Sequence, residues 1–361
     1  MGMVILKKRA VLILLSLLSL RLTTSLAEDL TELKNCISEN YQSLPNRNGI
    51  VTSVLNQYSS EIMTFGNAKP DQLFEIGSVT KTFTANLLAQ AVLSQSLKIT
   101  DPIPSDYQKQ GYTITFQNLT THTSGIDDSE ILKNFKSTNP LFAFDGLSVS
   151  IFKDLYAKIQ LITPPGSTWQ YSNMAVSLMG LILSEKANTP YEAMVQNTIL
   201  SPLGMKDTYF HVPDSESSRF PAGFLMAADG THVPAPHWDL STTALDPAGG
   251  IRSSISDMTI YARANLIPDS TVLKAPITLA QQPLYSINKD QSMGMNWFIE
   301  QGSGVRWHHG VTMGFNSILA ISSARHQAVV AMTDTVVVKK DSSGNMVPDT
   351  AFQEVAVNCL K

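Results

Sequence analysis

Ser78 and Lys81 have the residue types and spacing needed for covalent chemistry. They lie in the stretch Phe74-Glu-Ile-Gly-Ser-Val-Thr-Lys-Thr-Phe-Thr84. Residues i and i+3 share one face of a helix, so a lysine amine at this spacing can act as the base for a serine nucleophile. The spacing alone is not specific, because two further Ser-x-x-Lys matches occur, at Ser150–Lys153 and Ser286–Lys289.

The surroundings of Ser78 distinguish it from the other two serines. Gly77 permits a tight turn just before it. Apolar residues then recur at helical spacing, at Phe83, Leu87, Leu88, Ala91 and Val92. Ser78 is therefore predicted at the N-terminus of a buried helix, where the helix dipole and free N–H groups favour negative charge on its oxygen. Burial would also lower the pKa of the Lys81 amine and make it a usable base. The other two pairs lie in polar segments, and we interpret them as solvated surface positions.

Tyr171-Ser172-Asn173 is a second candidate element. It follows a turn-rich Pro-Pro-Gly segment and opens a predicted helix. Alternate side chains of an extended tripeptide face one side, so Tyr171 and Asn173 could both enter a cleft. A tyrosine beside Lys81 could relay protons, and Asn173 could bind a substrate amide. The alternative is a structural turn in which Asn173 caps the helix.

The third element is Trp307-His308-His309-Gly310-Val311 on a predicted strand. Gly310 would allow another backbone to approach closely. The N–H groups of Ser78 and Val311 could then form an oxyanion hole for an acyl oxygen.

A zinc site at His308 and His309 is disfavoured, because adjacent strand residues point to opposite faces. We predict no metal and no cofactor. The remaining histidines that we interpret as structural or unspecific are His122, His211, His232 and His237.

The hydrophobic pattern predicts an α+β fold, an α/β sandwich with one antiparallel sheet flanked by N- and C-terminal helices, plus a mainly helical lobe. The predicted strands are Gly49–Gln57, Glu61–Phe65, Gly294–Glu300, Val305–His309, Asn316–Ser322 and Ala328–Thr333. Besides the Ser78 helix, the predicted helices are Leu30–Leu44, Ser148–Ile162, Met174–Lys186, Pro190–Ile199, Ser256–Asn265 and Thr350–Leu360. We expect a sheet lobe at about 28–99 and 288–361 and a helical lobe at about 100–287, with the active site in the cleft between them.

The three motifs, in this order, resemble those of penicillin-recognising serine hydrolases. The chain looks like class C β-lactamases and the related low-molecular-weight penicillin-binding proteins, D-alanyl-D-alanine carboxypeptidases and esterases. Further similar stretches lie at 119–126, 202–205 and 247–253. The resemblance covers nearly all of the chain after residue 27. It implies a β-lactamase/transpeptidase-like fold, Ser78 as the acylated nucleophile, and Lys81 and Tyr171 as the proton-transfer pair.

His308 departs from the pattern of class C β-lactamases, which have lysine at this position of a Lys-Thr-Gly triplet. A histidine with an ordinary pKa is mostly neutral above pH 7. Tyr171 would then lack a cation that stabilises its phenolate, and Lys81 would carry more of the base role. His309 occupies the threonine position, which argues against strong β-lactamase activity. No extra glutamate base is evident, and we interpret Glu75 and Glu130 as structural.

The N-terminal residues 1–27 have a pattern that is typical of a signal peptide. Basic residues at 7–9 precede an apolar run at 10–20, and Ser25-Leu26-Ala27 fits a cleavage site. The run is too short for a membrane span, although an uncleaved anchor is the alternative. We therefore expect an exported, periplasmic protein with no membrane span in its mature chain. Cleavage would change the formal net charge from −4 to −8, which argues against a nucleic-acid partner.

Cys36 and Cys359 are the two cysteines of the chain and lie near its ends. Exported proteins meet an oxidising compartment, and the ends of a domain often lie close together. We predict a disulfide between them, joining the first and last helices. Two separate buried thiols are the alternative.

These observations predict an acyl-serine hydrolase that is a monomer. Its partner would be a small β-lactam or a peptidoglycan peptide, bound in part by Asn173, His308, Gly310 and Val311. An ester is an alternative substrate. A penicillin- or peptidoglycan-binding sensor that does not turn over is the alternative from another functional class.

Overall fold

The computed structural model describes residues 30–44, 47–109, 111–137, 144–226, 230–238, 243–341 and 346–361. The predicted signal peptide lies outside these residues. In the described part of the chain, no helix has both the length and the apolar character needed to cross a bilayer.

An eight-stranded antiparallel sheet organises the molecule, in the order β2-β1-β13-β12-β11-β10-β9-β8. Its strands are β1 (Gly49–Asn56), β2 (Ser60–Gly66), β8 (Tyr285–Ser286), β9 (Gln291–Met293), β10 (Phe298–Glu300), β11 (Arg306–Val311), β12 (Asn316–Ser322) and β13 (Gln327–Thr333). Strands β1, β12 and β13 are buried along their whole length. β12 and β13 accordingly contain the apolar runs 318–321 and 328–332, because helices cover both faces of the sheet, while buried Thr52 and Ser53 interrupt the apolar residues of β1.

Two groups of helices cover the sheet. One apolar cluster joins it to α1, whose described residues are 30–43, and to α12 (Ala351–Leu360). On the other face lies the larger core, which includes α2 (Thr80–Leu93), α10 (Ile255–Leu266) and α11 (Lys274–Ala280). The other helices are α3 (Phe116–Thr120), α4 (Asp128–Leu132), α5 (Val149–Lys158), α6 (Asn173–Ala187), α7 (Tyr191–Val195), α8 (Ser201–Leu203) and α9 (Asp246–Gly249).

Two smaller sheets complete the described structure. Three short strands pair in the order β3-β7-β4, namely β3 (Leu73–Glu75), β7 (Arg252–Ser254) and β4 (Thr208–Tyr209). Four more pair in the order β15-β14-β5-β6, namely β15 (Met346–Pro348), β14 (Thr335–Lys340), β5 (Gly223–Met226) and β6 (His232–Ala235). Strand β3 ends two residues before Gly77, so the three-stranded sheet fixes the chain just before Ser78.

The predicted α+β fold is confirmed, with early and late strands in one sheet and both terminal helices packed on one face of it. The predicted strand Gly294–Glu300 is wrong over its first half. A turn at 294–297 separates β9 from β10, and Asn296 has a positive φ of 53°. The predicted helix Ser148–Ile162 ends early, at Lys158. The short strands of the smaller sheets were not predicted, and the division into two lobes stays a prediction.

The disulfide between Cys36 and Cys359 is confirmed, with an S–S distance of 2.04 Å and a Cα–Cα distance of 5.9 Å. It joins α1 to α12 on one face of the large sheet. The two cysteines are 323 residues apart in sequence. A crosslink that closes so long a loop strongly reduces the entropy of the unfolded chain.

The Cys36→Ala/Cys359→Ala double variant should therefore lose about 2–5 kcal/mol of unfolding free energy. Urea denaturation of both proteins, with and without reductant, measures this loss. Reductant should destabilise the natural chain and leave the double variant unchanged. Equal midpoints for the two proteins without reductant would show that the crosslink does not stabilise the fold.

Candidate active site

Ser78 lies in a single 3-10 turn, Gly77–Val79, that leads directly into α2. Gly77 has a positive φ of 47°. A side chain there would also be crowded, since a Cβ would lie 3.0 Å from the Val311 nitrogen. Glycine is thus needed at this position both for its conformation and for the close approach of β11. Ser78 itself is half-buried in the middle of this turn.

Lys81 is fully buried one turn later and has three polar contacts. Its Nζ lies 2.8 Å from Ser78 Oγ, 2.8 Å from Asn173 Oδ1 and 2.6 Å from the Ala248 carbonyl oxygen. Burial lowers the pKa of the amine to about 7, and the charge of Asp128 opposes this shift. Near neutral pH a substantial fraction of Lys81 is therefore uncharged.

The three partners of Lys81 fix the direction of its hydrogen bonds. The Asn173 and Ala248 oxygens can only accept, so they take both N–H groups of a neutral amine. The remaining lone pair then faces Ser78 Oγ, which can donate its hydroxyl proton. The neutral amine is thus oriented as a base toward the predicted nucleophile.

Asn173 contacts Lys81, which the sequence did not predict, and it does not cap α6. The N-cap is Ser172, whose hydroxyl accepts from the Ala175 N–H at 3.0 Å, and Asn173 is the first residue of the helix. The interpretation of Asn173 as an N-cap is therefore wrong. A serine oxygen is a good N-cap acceptor, which leaves the Asn173 amide free to reach the site.

Asp128 holds this segment in place and was not identified from the sequence. It accepts from the Ser172 hydroxyl at 2.6 Å, the Asn173 N–H at 2.9 Å and the Met174 N–H at 3.1 Å. It also accepts from Asn173 Nδ2 at 3.0 Å, which orients the amide so that Oδ1 faces Lys81. No local signal marks Asp128, since its partners lie more than 40 residues away in sequence.

Ala248 is another missed residue, because it contributes only a backbone carbonyl. It belongs to α9, in the stretch 247–253 that the resemblance singled out. The preceding carbonyl, that of Pro247, accepts from Thr84 Oγ1 at 2.6 Å. These two contacts attach α9 to α2 along the face that carries Lys81.

Tyr171 lies beside both members of the predicted pair. Its ring centroid is 5.0 Å from Lys81 Nζ, and its hydroxyl is hydrogen-bonded with Ser78. Burial raises the pKa of Tyr171 above the ordinary tyrosine value, against the opposing effect of the Ser78 hydrogen bond. Tyr171 is therefore a neutral phenol over the working pH range.

His122 supports Tyr171 from one side and was interpreted as structural. Its ring stacks on Tyr171 with a centroid distance of 4.4 Å, and its Nδ1 accepts from the Ser172 N–H at 3.2 Å. Burial lowers its pKa to about 3, and the Lys81 charge adds to the shift. His122 is thus a neutral imidazole that positions the Tyr171–Asn173 segment.

His308 and His309 point to opposite faces of β11, as predicted. His308 is buried and its ring centroid is 6.2 Å from that of Tyr171. His309 instead stacks on Trp307, which packs against the apolar cluster that joins α12 to the sheet. Since the His309 carbonyl can only accept, the 2.7 Å contact places the proton of neutral His308 on Nδ1. Burial lowers the pKa of His308 well below the ordinary histidine value, so this position carries no positive charge.

Gly310 and Val311 contact the turn that holds Ser78. A Cβ on Gly310 would lie 2.0 Å from the Ile76 carbonyl oxygen and 2.8 Å from Ser78 N, so only glycine fits. Thr312 N–H donates to the Phe315 carbonyl at 2.9 Å. Hydrogen-bonded pairs alternate along an antiparallel ladder, so the Val311 N–H points away from β12. The N–H groups of Ser78 and Val311 therefore come from two facing segments of backbone.

The predicted site residues other than the cysteines thus lie together at one end of α2. The protein-family model described as Beta-lactamase matches residues 42–346, which is most of the chain. The chain belongs to the beta-lactamase family. This finding confirms the resemblance drawn from the three motifs, and it supports serine hydrolysis as the general activity of this family member.

The similar proteins include two beta-lactamases. Those of Pseudomonas fluorescens and Escherichia coli (strain K12) are 27% and 28% identical to this chain over 264 and 265 residues. Each alignment covers 69% of this chain, and 68% and 65% of the respective relative. Protein flp of Staphylococcus aureus (strain N315) is 24% identical over 74% of this chain and 54% of its own length. This chain therefore spans about two thirds of the two beta-lactamases and about half of flp.

Glu75 and Glu130 were considered as additional bases. Neither contacts Ser78 in the part of the chain that the structure describes. Glu75 is buried and accepts from the Trp238 N–H at 2.7 Å, while Glu130 forms an ion pair with Lys133. Over the described ranges, no group of three or more His, Cys, Asp or Glu side chains is arranged to hold a metal ion. The arrangement around Ser78 offers general-base and hydrogen-bonding chemistry from side chains and backbone.

The pKa of Lys81 predicts how reactivity at Ser78 depends on pH. If the neutral amine is the base, kcat/KM for a short nitrophenyl ester should rise with pH and level off above an apparent pKa of about 7. Asp128→Asn removes a charge that raises the pKa of Lys81, so the midpoint should move to lower pH. Asp127→Asn is the control, since Asp127 caps α4 locally. A midpoint near the ordinary lysine value would contradict a neutral Lys81.

Proposed function

We propose that this protein is an exported, monomeric acyl-serine hydrolase of the class C β-lactamase and penicillin-binding type. It hydrolyses a β-lactam or a D-alanyl-D-alanine-like amide through an acyl-enzyme on Ser78. The observation that carries the proposal is the 2.8 Å contact between Lys81 Nζ and Ser78 Oγ, at a buried amine whose pKa is lowered to about 7.

The mechanism begins with transfer of the Ser78 proton to the lone pair of Lys81 as Oγ attacks the carbonyl carbon. The developing oxyanion is bound by the N–H groups of Ser78 and Val311. Removal of one such donor typically costs about 3 kcal/mol of transition-state stabilisation. The helix dipole of α2 adds to the same effect.

Tyr171 completes the proton transfer as an acid. Its raised pKa keeps it protonated, so it donates to the leaving nitrogen or oxygen and then regains a proton from Lys81, which had taken the proton of Ser78. Water then attacks the acyl-enzyme with Lys81 again as base, which releases the acid product and restores Ser78. Asn173 contributes by orienting Lys81 and is available to the substrate amide.

Ester hydrolysis is a second candidate function, and His308 is the observation that favours it. The substrate carboxylate of a β-lactam or cell-wall peptide is attracted by a cation at this position. Neutral His308 provides none, and an uncharged ester does not require one. A binding protein that acylates without turnover remains the alternative from another class.

Four substrates separate these functions when compared with the Ser78→Ala variant. A fluorescent penicillin, a chromogenic cephalosporin, a D-Ala-D-Ala peptide and a short nitrophenyl ester are each incubated with both proteins. We expect product from at least one substrate and a loss of at least about a thousandfold in Ser78→Ala. Label that persists without product would identify a sensor. Equal activity in Ser78→Ala would overturn the mechanism.

His308→Lys tests the role of charge at this position. The variant should gain about tenfold in kcat/KM on N-acyl-D-Ala-D-Ala at pH 8.5, which corresponds to about 1.4 kcal/mol of added attraction between the new ammonium group and the substrate carboxylate. The matched substrate with a C-terminal amide should gain nothing. His309→Lys is the control variant, because its side chain lies on the other face of β11. An unchanged preference between acid and amide in His308→Lys would contradict the proposed role.

A further inference from the structure

Glu75 is a buried carboxylate that lies three residues before Ser78, at the end of β3, and is only 3% exposed. Removing an ionised carboxylate from water is costly unless other groups compensate for it. The mechanism uses Glu75 neither as a base nor as a nucleophile. The partners of Glu75 therefore have to explain why a carboxylate is buried so close to the nucleophile.

Two groups hold the carboxylate on the side of β7. Glu75 Oε1 accepts from the Trp238 N–H at 2.7 Å and lies 4.0 Å from Arg252 Nη2. Glu75 and Arg252 also face each other in the β3–β7 register. Arg252 is itself buried, and its Nη1 donates to the carbonyls of Phe210 and Gly250 at 2.6 and 2.9 Å. Because backbone groups fix the guanidinium, the guanidinium in turn fixes the carboxylate.

Thr312 connects the carboxylate to β11. Its hydroxyl is buried and lies beside the carboxylate, where it favours the charged form. Burial raises the pKa of Glu75, and both the charge of Arg252 and the Thr312 hydroxyl oppose that shift. Thr312 directly follows Val311, the last residue of β11. Glu75 therefore connects the segment before Ser78 to the residue after Val311.

The two segments of backbone that carry the oxyanion donors contact each other directly. A Cβ on Gly77 would lie 3.0 Å from the Val311 nitrogen, and a Cβ on Gly310 would lie 2.8 Å from the Ser78 nitrogen. The spacing of the two N–H groups therefore depends on the contacts that hold these segments together. Such spacing matters for catalysis, since a misplacement of about 1 Å can lower a rate about a hundredfold.

Ile76 is held by two further hydrogen bonds in the same segment. Its carbonyl accepts from Ser317 Oγ on β12 at 2.7 Å. Its N–H donates to the Ile251 carbonyl, just before β7, at 3.0 Å. The two residues before Gly77 are thus bound to β7, to β12 and, through Glu75, to the end of β11.

We propose that Glu75 is a positioning residue for the oxyanion hole, whose ionised carboxylate fixes the spacing between the N–H groups of Ser78 and Val311. The inference rests on the proposed acyl-enzyme at Ser78 and adds a residue that does not touch the substrate. Oxyanion donors act mainly on the tetrahedral transition state. Loss of the carboxylate should therefore weaken binding of a tetrahedral species and leave binding of the planar substrate unchanged.

Phenylboronic acid tests this role, because it forms a tetrahedral adduct. Ser78 Oγ adds to the boron atom, the hydroxyl proton passes to Lys81, and one oxygen of the boronate anion enters the oxyanion hole. Glu75→Gln keeps the size of the side chain and removes its charge. We expect the inhibition constant of phenylboronic acid to rise at least about tenfold in this variant, and kcat for a short nitrophenyl ester to fall in parallel. KM for the ester should stay within about twofold.

Asp257→Asn is the matched control. Asp257 is another buried carboxylate, on α10, and accepts from the Asp207 N–H at 2.7 Å and from Thr208 Oγ1 at 2.8 Å. The variant should lose stability in thermal unfolding and keep its affinity for phenylboronic acid within about twofold. An equal loss of affinity in Asp257→Asn would overturn the proposal, because destabilisation alone would then account for the effect.

Two variants at Thr312 keep the test decisive if Glu75→Gln folds poorly. Thr312→Val removes the hydroxyl and should raise the inhibition constant at least about threefold, whereas Thr312→Ser keeps the hydroxyl and should restore it. An unchanged constant in Thr312→Val, or a rise in KM that matches the loss of boronate affinity, would contradict the role of Glu75. Boronate binding and ester turnover that are unchanged in Ser78→Ala would overturn the proposed function as well, so the two failures are distinguishable.

Discussion

The burial of Lys81 is the constraint on which the rest of the site depends. An amine that is fully removed from water needs a polar partner for each of its hydrogen-bonding positions. Three different parts of the chain supply these partners: the turn before α2, the first residue of α6, and the backbone of α9. The contacts around the site therefore allow one lysine to be excluded from water while its amine keeps hydrogen-bond partners.

The same constraint explains the neutral character of the surrounding groups. Two buried imidazoles, His122 and His308, and the phenol of Tyr171 surround an amine that is itself partly uncharged. Burial acts on all four groups in the direction that disfavours their charged forms. Asp128 is the nearby carboxylate whose charge opposes this tendency at Lys81, and it also holds the Asn173 amide that contacts the amine.

The large sheet, the helix after Ser78 and the disulfide could be predicted because each leaves a local or compositional signal. Apolar strands such as β12, the helical period after Lys81 and the single cysteine pair are such signals. Asp128, Ala248 and His122 could not be predicted for physical reasons. Their roles arise from tertiary contacts with residues distant in sequence, and Ala248 acts through a carbonyl that every residue possesses. The turn at Asn296 was missed because its left-handed conformation is favoured there by tertiary contacts, including its N–H bond to the Thr120 carbonyl at 3.0 Å.

The crosslink between α1 and α12 has a mechanical consequence. Between Cys36 and Cys359 the backbone forms a closed covalent ring that contains the whole large sheet and the site at Ser78. A pulling force applied through the segments on either side of that ring would pass through the sulfur bridge, and the sheet would bear almost no load. A single backbone cut inside the ring would likewise leave one covalently connected molecule. The chain is thus protected as one unit against tension and against a single cleavage.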